Sequence, residues 1–215
     1  MRIDVWSDVV CPWCYLGKRR LEAALEGLDF ADEVEVRWRA FQLDPTASAE
    51  PKDLSAAIDR KYGPGAFQGM TGRLVPLGEE VGIDYRFDLA QRVTSLPALS
   101  LVAWVEANVG HEAAGALHER LFRAYFTEGA NIADAANLVD WAVEVGADRE
   151  LAGEAVATGS GRDAVTADLE GAADRQVTGV PAFVIEDSFM IPGAQDVETI
   201  RTLLTRMHAK QHAAG

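Results

Sequence analysis

Two cysteines are all that the 215 residues contain, and they stand together as Cys11 and Cys14 in the stretch SDVVCPWCYLG, residues 7–17. With Pro12 and Trp13 between them, the two sulfurs fall on one helical turn, near enough to join. Thiols so spaced can exchange disulfides or supply half of a tetrahedral metal site. They cannot form the framework of a disulfide-stapled secreted fold, and a structural bridge would not persist in a reducing compartment. The pair is therefore read as chemistry.

That chemistry depends on the elements around it. Residues 2–6, RIDVW, put Ile3 and Val5 on one face, the alternation of a strand entering a core. From Pro12 onward, Leu16, Leu21, Leu25 and Leu28, with Arg19, Arg20 and Glu22 between them, predict an amphipathic helix. Pro12 suits its first turn, which places Cys11 at the N-cap. The unpaired amides and positive dipole end favour a sulfur anion there. Cys11 is thus expected to be the exposed, attacking thiolate, and Cys14, one turn deeper, the thiol that resolves the mixed disulfide. Val34 to Phe41 alternates again and closes a β-α-β unit.

Beyond QLDPTASAEP the period becomes helical, with helices predicted near 52–62, 66–81, 96–109, 112–126, 133–146, 149–158 and 161–176. Pro76 and Pro97 are expected to kink or start a helix, and no repeat period stands out. Strand character returns at VPAFVI, residues 180–185, then a polar turn of Glu186, Asp187 and Ser188, then FMI at 189–191. A last helix follows, capped by Asp196, with Val197, Ile200, Leu203, Leu204 and Met207 on its buried stripe. The fold class read from this order is α/β: a mixed sheet built from β-α-β and β-β-α at the two ends of the chain, interrupted by a large all-helical insertion. The expected boundaries are 1–48 and 171–215 for the two parts of the sheet domain and 49–170 for the insertion.

Pro181 is a second candidate feature, because a proline at the start of a strand leaves a ladder position without a donor. A cis bond after Val180 would turn the Val180 backbone toward a bound peptide, to pair with it as an edge strand does. An ordinary trans proline starting a strand is the plainer reading.

A formal net charge of −14 repels phosphate backbones and anionic headgroups, so no nucleic acid and no membrane surface is expected as partner. Hydrophobic residues at 48% and charged residues at 25% are those of a folding globular chain. No run approaches a membrane span, and MRIDVWSDVV lacks the apolar length of a signal peptide, so a cytoplasmic location is expected.

Three motifs, SDVVCPWCYLG, GVPAFVI and IPGAQ, together resemble the DsbA family of thioredoxin-like oxidoreductases, in order and across the whole chain, and within it the cytoplasmic FrnE-like branch. The resemblance implies a thioredoxin fold split by a helical domain, Cys11 as nucleophile, Cys14 as resolving thiol and Pro181 as the cis-proline. Gly193, Ala194 and Gln195 match the loop after the hairpin. It implies no cofactor beyond the redox-active Cys11–Cys14 disulfide, with glutathione admitted as co-substrate. Partners would be thiols or disulfides of proteins, peptides or small molecules, and a homodimer is compatible. The dipeptide here is Pro-Trp where the periplasmic oxidants have Pro-His, so their strongly oxidising poise is not carried over. RVTSLPALSL likewise lacks the Asn-Thr and Ala-His pairs of many FrnE-like chains.

Two alternatives come from other classes. The 2-hydroxychromene-2-carboxylate isomerases and kappa-class glutathione transferases resemble the PALSL region but usually have serine in place of the first cysteine, whereas both thiols are intact here. A non-enzymatic metal-binding or chaperone-like module would join the thiols to His208 and His212, which are read instead as solvated tail. His111 and His118 are read as surface or core edge, and no metal is assigned. Trp104, Trp141, Phe122, Tyr125 and Phe126 recur at helical spacing and are assigned to the insert's own core. Trp13 is expected to be partly exposed and, with Pro12, Val180 and Pro181, to contact substrate. Glu22, Glu26, Glu79 and Glu80 are read as a solvated face.

Overall fold

The computed structural model describes residues 1–213. Strand β1 (Arg2–Ser7) leads through a tight turn into helix α1 (Pro12–Leu25), and a short 3-10 turn (Ala31–Glu33) then brings the chain back as β2 (Glu35–Ala40). β1 and β2 pair in parallel from Arg2↔Glu35 to Ser7↔Ala40. From the other end of the chain, β5 (Ala182–Ile185) adds antiparallel to β1, from Trp6↔Ala182 to Ile3↔Ile185, and β6 (Phe189–Pro192) pairs antiparallel with β5. The sheet order is β2-β1-β5-β6. Helix α9 (Val197–Ala213) packs beside α1, and the Asp196 carboxylate accepts from the Thr199 amide as the cap expected there.

Alternation along β1 decides what each face of the sheet buries. Ile3 and Val5 point into the main apolar cluster with Leu16, Leu21, Phe183, Ile185, Ile200 and Leu204. Trp6 points the other way, where Ala172, Val177, Ala182 and Val184 surround it. β5 is therefore an inner strand, paired on both sides. Val180 lies outside the ladder, before its first paired residue, Ala182. Pro181 also precedes the strand, so its missing N–H interrupts no ladder bond, while its carbonyl accepts from Gly193 at 2.8 Å.

Between the two halves of the sheet come α2 (Leu54–Tyr62), α3 (Ala66–Glu79), α4 (Leu96–Asn108), α5 (His111–Phe126), α6 (Ala135–Glu144), α7 (Arg149–Thr158) and α8 (Arg162–Asp174). A two-residue pair of strands, β3 (Lys52–Asp53) and β4 (Gln91–Arg92), ties the start of α2 to the approach to α4. Asp53, Asp134 and Asp148 cap the helices that follow them through their carboxylates. Pro76 lies inside α3 and Pro97 in the first turn of α4. α8 starts at Gly161, where a Cβ would stand 1.8 Å from the Ser100 carbonyl oxygen, so only glycine lets α8 rest on the α4 backbone. Phe122, Tyr125, Phe126 and Trp141 are buried as expected, and they join one cluster that is continuous with the sheet's α1 face. His118 is a fully buried residue stacked on Trp38 at 4.4 Å, not the surface or core-edge group expected from the sequence.

Candidate active site

Cys11 caps α1 in an extended conformation, φ −94° and ψ 112°, with Pro12 in the first turn. Its amide donates to the Asp8 carbonyl at 2.9 Å, and its own carbonyl accepts from the amides of Cys14 (3.0 Å) and Tyr15 (3.3 Å). Both cysteines are free thiols. The Cys11 sulfur faces the Val180 carbonyl oxygen at 3.8 Å, and the Val180–Pro181 peptide bond is cis. Gly17 makes this approach feasible, because a Cβ there would lie 2.8 Å from Pro181 Cγ and 3.2 Å from Phe183 Cζ. The helix that carries the thiols and the proline loop therefore pack directly on one another.

One expectation is corrected by this packing. Cys11 is not openly exposed: it is 4% accessible, against 1% for Cys14. Half-buried Val10, Pro12, Trp13 and Val180 flank it, whereas Pro181 is buried. A helix dipole acts on a sulfur through its position and does not determine what covers it.

The two sulfurs differ in their surroundings. Burial pushes the Cys14 thiol well above its ordinary range, and hydrogen bonding to Cys11 and the charge of Cys11 push the same way. The Asp8 amide and the Ser7 hydroxyl oppose the shift by favouring the Cys14 anion. Ser7 is fully buried and its Oγ makes no well-formed hydrogen bond, so Cys14 is the polar group it faces. Directly below, the buried Asp8 carboxylate accepts from the amides of Leu43 (2.8 Å) and Val10 (3.3 Å) and from the Ser95 side chain. Burial nevertheless raises its carboxyl to about 6.

Tyr85, from the segment after α3, reaches across to donate its hydroxyl to the Pro12 carbonyl at 2.5 Å, holding the inter-cysteine dipeptide from the helical side. It packs against Gly78 and meets Tyr15 edge to face at 6.0 Å. Tyr15 in turn stacks on Phe122 at 4.8 Å and donates to Glu119 at 2.9 Å. Burial, and next the Glu119 charge, push the Tyr15 phenol up to about 12. The segment FRAYF thus supports the site from behind as core. Glu22, read as solvated, pairs with the buried Lys18.

Sequence reasoning missed Ser7, Asp8 and Tyr85. The first two lie inside the quoted stretch, and a carboxylate one turn before a capping cysteine was the signal that could have drawn attention to them. Tyr85 carried no signal at all. The tail histidines are not near the thiols as ligands: among the described residues, the group converging as candidate metal ligands is Glu33, His208 and His212.

The profile described as a DSBA-like thioredoxin domain matches residues 2–205. The chain belongs to this DsbA-like family. A Streptomyces coelicolor protein described as a probable DsbA oxidoreductase is 32% identical, superposes with a TM-score of 0.87, and the match covers 96% of this chain and 89% of that one. The Bacillus subtilis protein YwbO, which is uncharacterised, is 32% identical over 197 residues, 90% of each chain. The cytosolic disulfide reductase DsbM of Pseudomonas aeruginosa, solved with glutathione, shares the fold at 20% identity and a TM-score of 0.70, covering 97% of this chain and 100% of its own. The DsbA-like assignment carries an α/β thioredoxin fold with a helical insertion and supports the broad oxidoreductase/isomerase class. Among the described residues, no helix is long and apolar enough to cross a membrane.

Proposed function

We propose that the chain is a thiol–disulfide oxidoreductase that works through Cys11 and Cys14 in a reducing, cytoplasmic setting. The observation that carries this reading is the pairing of two unlike thiols at one helix start: Cys11 at the cap beside Val180, and Cys14 buried behind it with its proton held.

The Cys11 thiolate attacks one sulfur of a substrate disulfide; a bond from Cys11 Sγ to that sulfur forms as the substrate S–S bond breaks, and the other sulfur leaves as a thiolate. Cys14 then loses its proton to the departing thiolate or to solvent and attacks Cys11 Sγ. The mixed disulfide breaks, the substrate leaves fully reduced, and the protein holds a Cys11–Cys14 disulfide. The Ser7 hydroxyl and the Asp8 amide stabilise the Cys14 anion as it forms. Two equivalents of a small thiol such as glutathione return the dithiol and leave as their own disulfide; the glutathione in the DsbM structure supports that choice. Trp13 and Pro12 border the reacting sulfur, and the Val180 backbone, free of the ladder, would contact a substrate chain. Pro-Trp between the cysteines leaves out the histidine of the strongly oxidising relatives, which favours reduction or isomerisation over oxidation.

The test is a glutathione-coupled disulfide reduction assay with two variants. Cys11→Ser is expected to lose more than about a hundredfold in kcat/KM. Cys14→Ser is expected to accumulate a mixed disulfide, seen as added substrate mass on the intact protein. A Cys11→Ser variant as active as the parent would overturn the assignment.

A further inference from the structure

The end of α9 meets the turn that precedes β2, and together they assemble a cluster with no part in the thiol chemistry. Glu33 from the turn and His208 and His212 from α9 each present one ligand atom within 4.8 Å of the others. We propose that these three side chains form a binding site for zinc(II) or a similar borderline divalent ion.

The chemistry of the donor set selects the ion class. Two imidazoles and one carboxylate suit zinc, nickel or copper, while magnesium and calcium prefer sites made wholly of oxygen. His208 and His212 are four apart on α9, so both rings leave the same face of the helix. Each ring is also oriented. His212 Nδ1 lies 3.0 Å from the His208 carbonyl, which can only accept, so Nδ1 carries the hydrogen and Nε2 keeps its lone pair for a metal. An imidazole that donates its other nitrogen to a backbone carbonyl is the usual outer support of a metal ligand. The His208 ring stacks on Phe30, centroids 3.8 Å apart and planes within 6°. This aims its Nε2 at Glu33 Oε2, 3.2 Å away. In the metal-free protein a proton bridges that gap, and a dication would displace it.

Three protein ligands leave a fourth tetrahedral position for water. His208 is only partly exposed, while Glu33 and His212 are at the surface. The site would therefore load from solvent and bind with moderate strength. Glu33 is distant in sequence from the histidines, so a bound ion would fasten the last turns of α9 to the entry into β2, and its occupancy would register as thermal stability.

Paired thiolates are able to ligate zinc, so the test is made on the full chain carrying both Cys11→Ser and Cys14→Ser, which separates it from the proposed thiol function. Titration with zinc chloride by calorimetry is expected to show one ion per chain, with a rise in Tm at saturation. Cobalt(II) is expected to give visible bands without near-ultraviolet thiolate absorption. Glu33→Gln, His212→Asn and His208→Phe, the last keeping the stack on Phe30, are each expected to weaken zinc binding by about tenfold or more and to abolish the Tm rise. Their metal-free Tm values report whether the variants fold. Zinc affinity unchanged in these variants, or no saturable binding by the thiol-free chain, would overturn the proposal.

Discussion

Strand β1 has a buried carboxylate near each end, and the two are satisfied in opposite ways. Asp4 receives two guanidinium groups, Arg2 and Arg39, each at 2.7 Å. Asp8, just past the other end, receives only neutral donors. Cationic partners compensate a carboxylate for the water it has lost, whereas neutral donors in a dry setting do so only in part. That is why burial dominates at Asp8 and lifts its carboxyl to about 6. The far end of the strand is an ion-paired anchor, extended by the contacts of Arg2 and Arg175 with Asp187 in the β5–β6 turn. The near end, under the thiols, is built from groups that hold protons loosely or tightly according to their surroundings. One strand thus separates a mechanical duty from a chemical one.

The contrast can be broken most forcefully at Asp8. An acid whose carboxyl is raised on folding binds its proton more tightly in the folded state than in the unfolded one. Stability therefore falls as pH rises from the ordinary 3.8 toward about 6, and the full cost is present above that. The shift corresponds to about 3 kcal/mol. In Asp8→Asn this fall disappears, so the stability difference between variant and parent, measured by urea unfolding, is expected to change by about 3 kcal/mol between roughly pH 3 and 7. A difference flat across that range would mean that both ends of β1 treat charge alike. Asp168, also raised to about 6 by burial, is common to both proteins and cancels.

A smaller effect is expected from Gly17→Ala. Its methyl group would meet Pro181 at 2.8 Å, and overpacking of this kind costs about 2 kcal/mol. The same displacement would move Val180 from Cys11, so disulfide reduction should slow as well. A variant with unchanged denaturation midpoint and rate would show that the thiol end is loosely fitted. Least costly should be Asp4→Asn, about 1 kcal/mol, because the side chains of Arg2 (37% accessible) and Arg39 (26%) rehydrate once their partner is neutral. The loss should shrink in high salt and leave the reduction rate alone. A loss larger than the pH-dependent change at Asp8 would reverse the comparison.

Legibility in the sequence followed the range of the interactions involved. Helix α7 occupies Arg149–Thr158, the span its pattern predicts, because its signals are local: Asp148 accepts from the Glu150 and Leu151 amides, and Gly159 ends it at φ +70°. The dithiol was legible for the same reason, since a capping cysteine followed by proline is a property of adjacent residues. Strands β3 and β4 are two residues each and too short to show a period. Asp8 and Tyr85 act through Leu43, Ser95 and Pro12, neighbours that exist only once the chain has folded. His212 is at the surface as read, whereas the partial cover of His208 was not legible because Phe30 and Glu33, which hold it, come from near the opposite end of the chain.

Since β5 sits between β1 and β6, the sheet cannot be completed until residues 182–192 have been synthesised. Contacts over such separations form late, after the local helices. Cys11 and Cys14 thus leave the ribosome well before Val180 and Pro181 exist to flank them. Until that segment folds back, the thiol-bearing helix lacks the proline loop that packs on it in the finished chain.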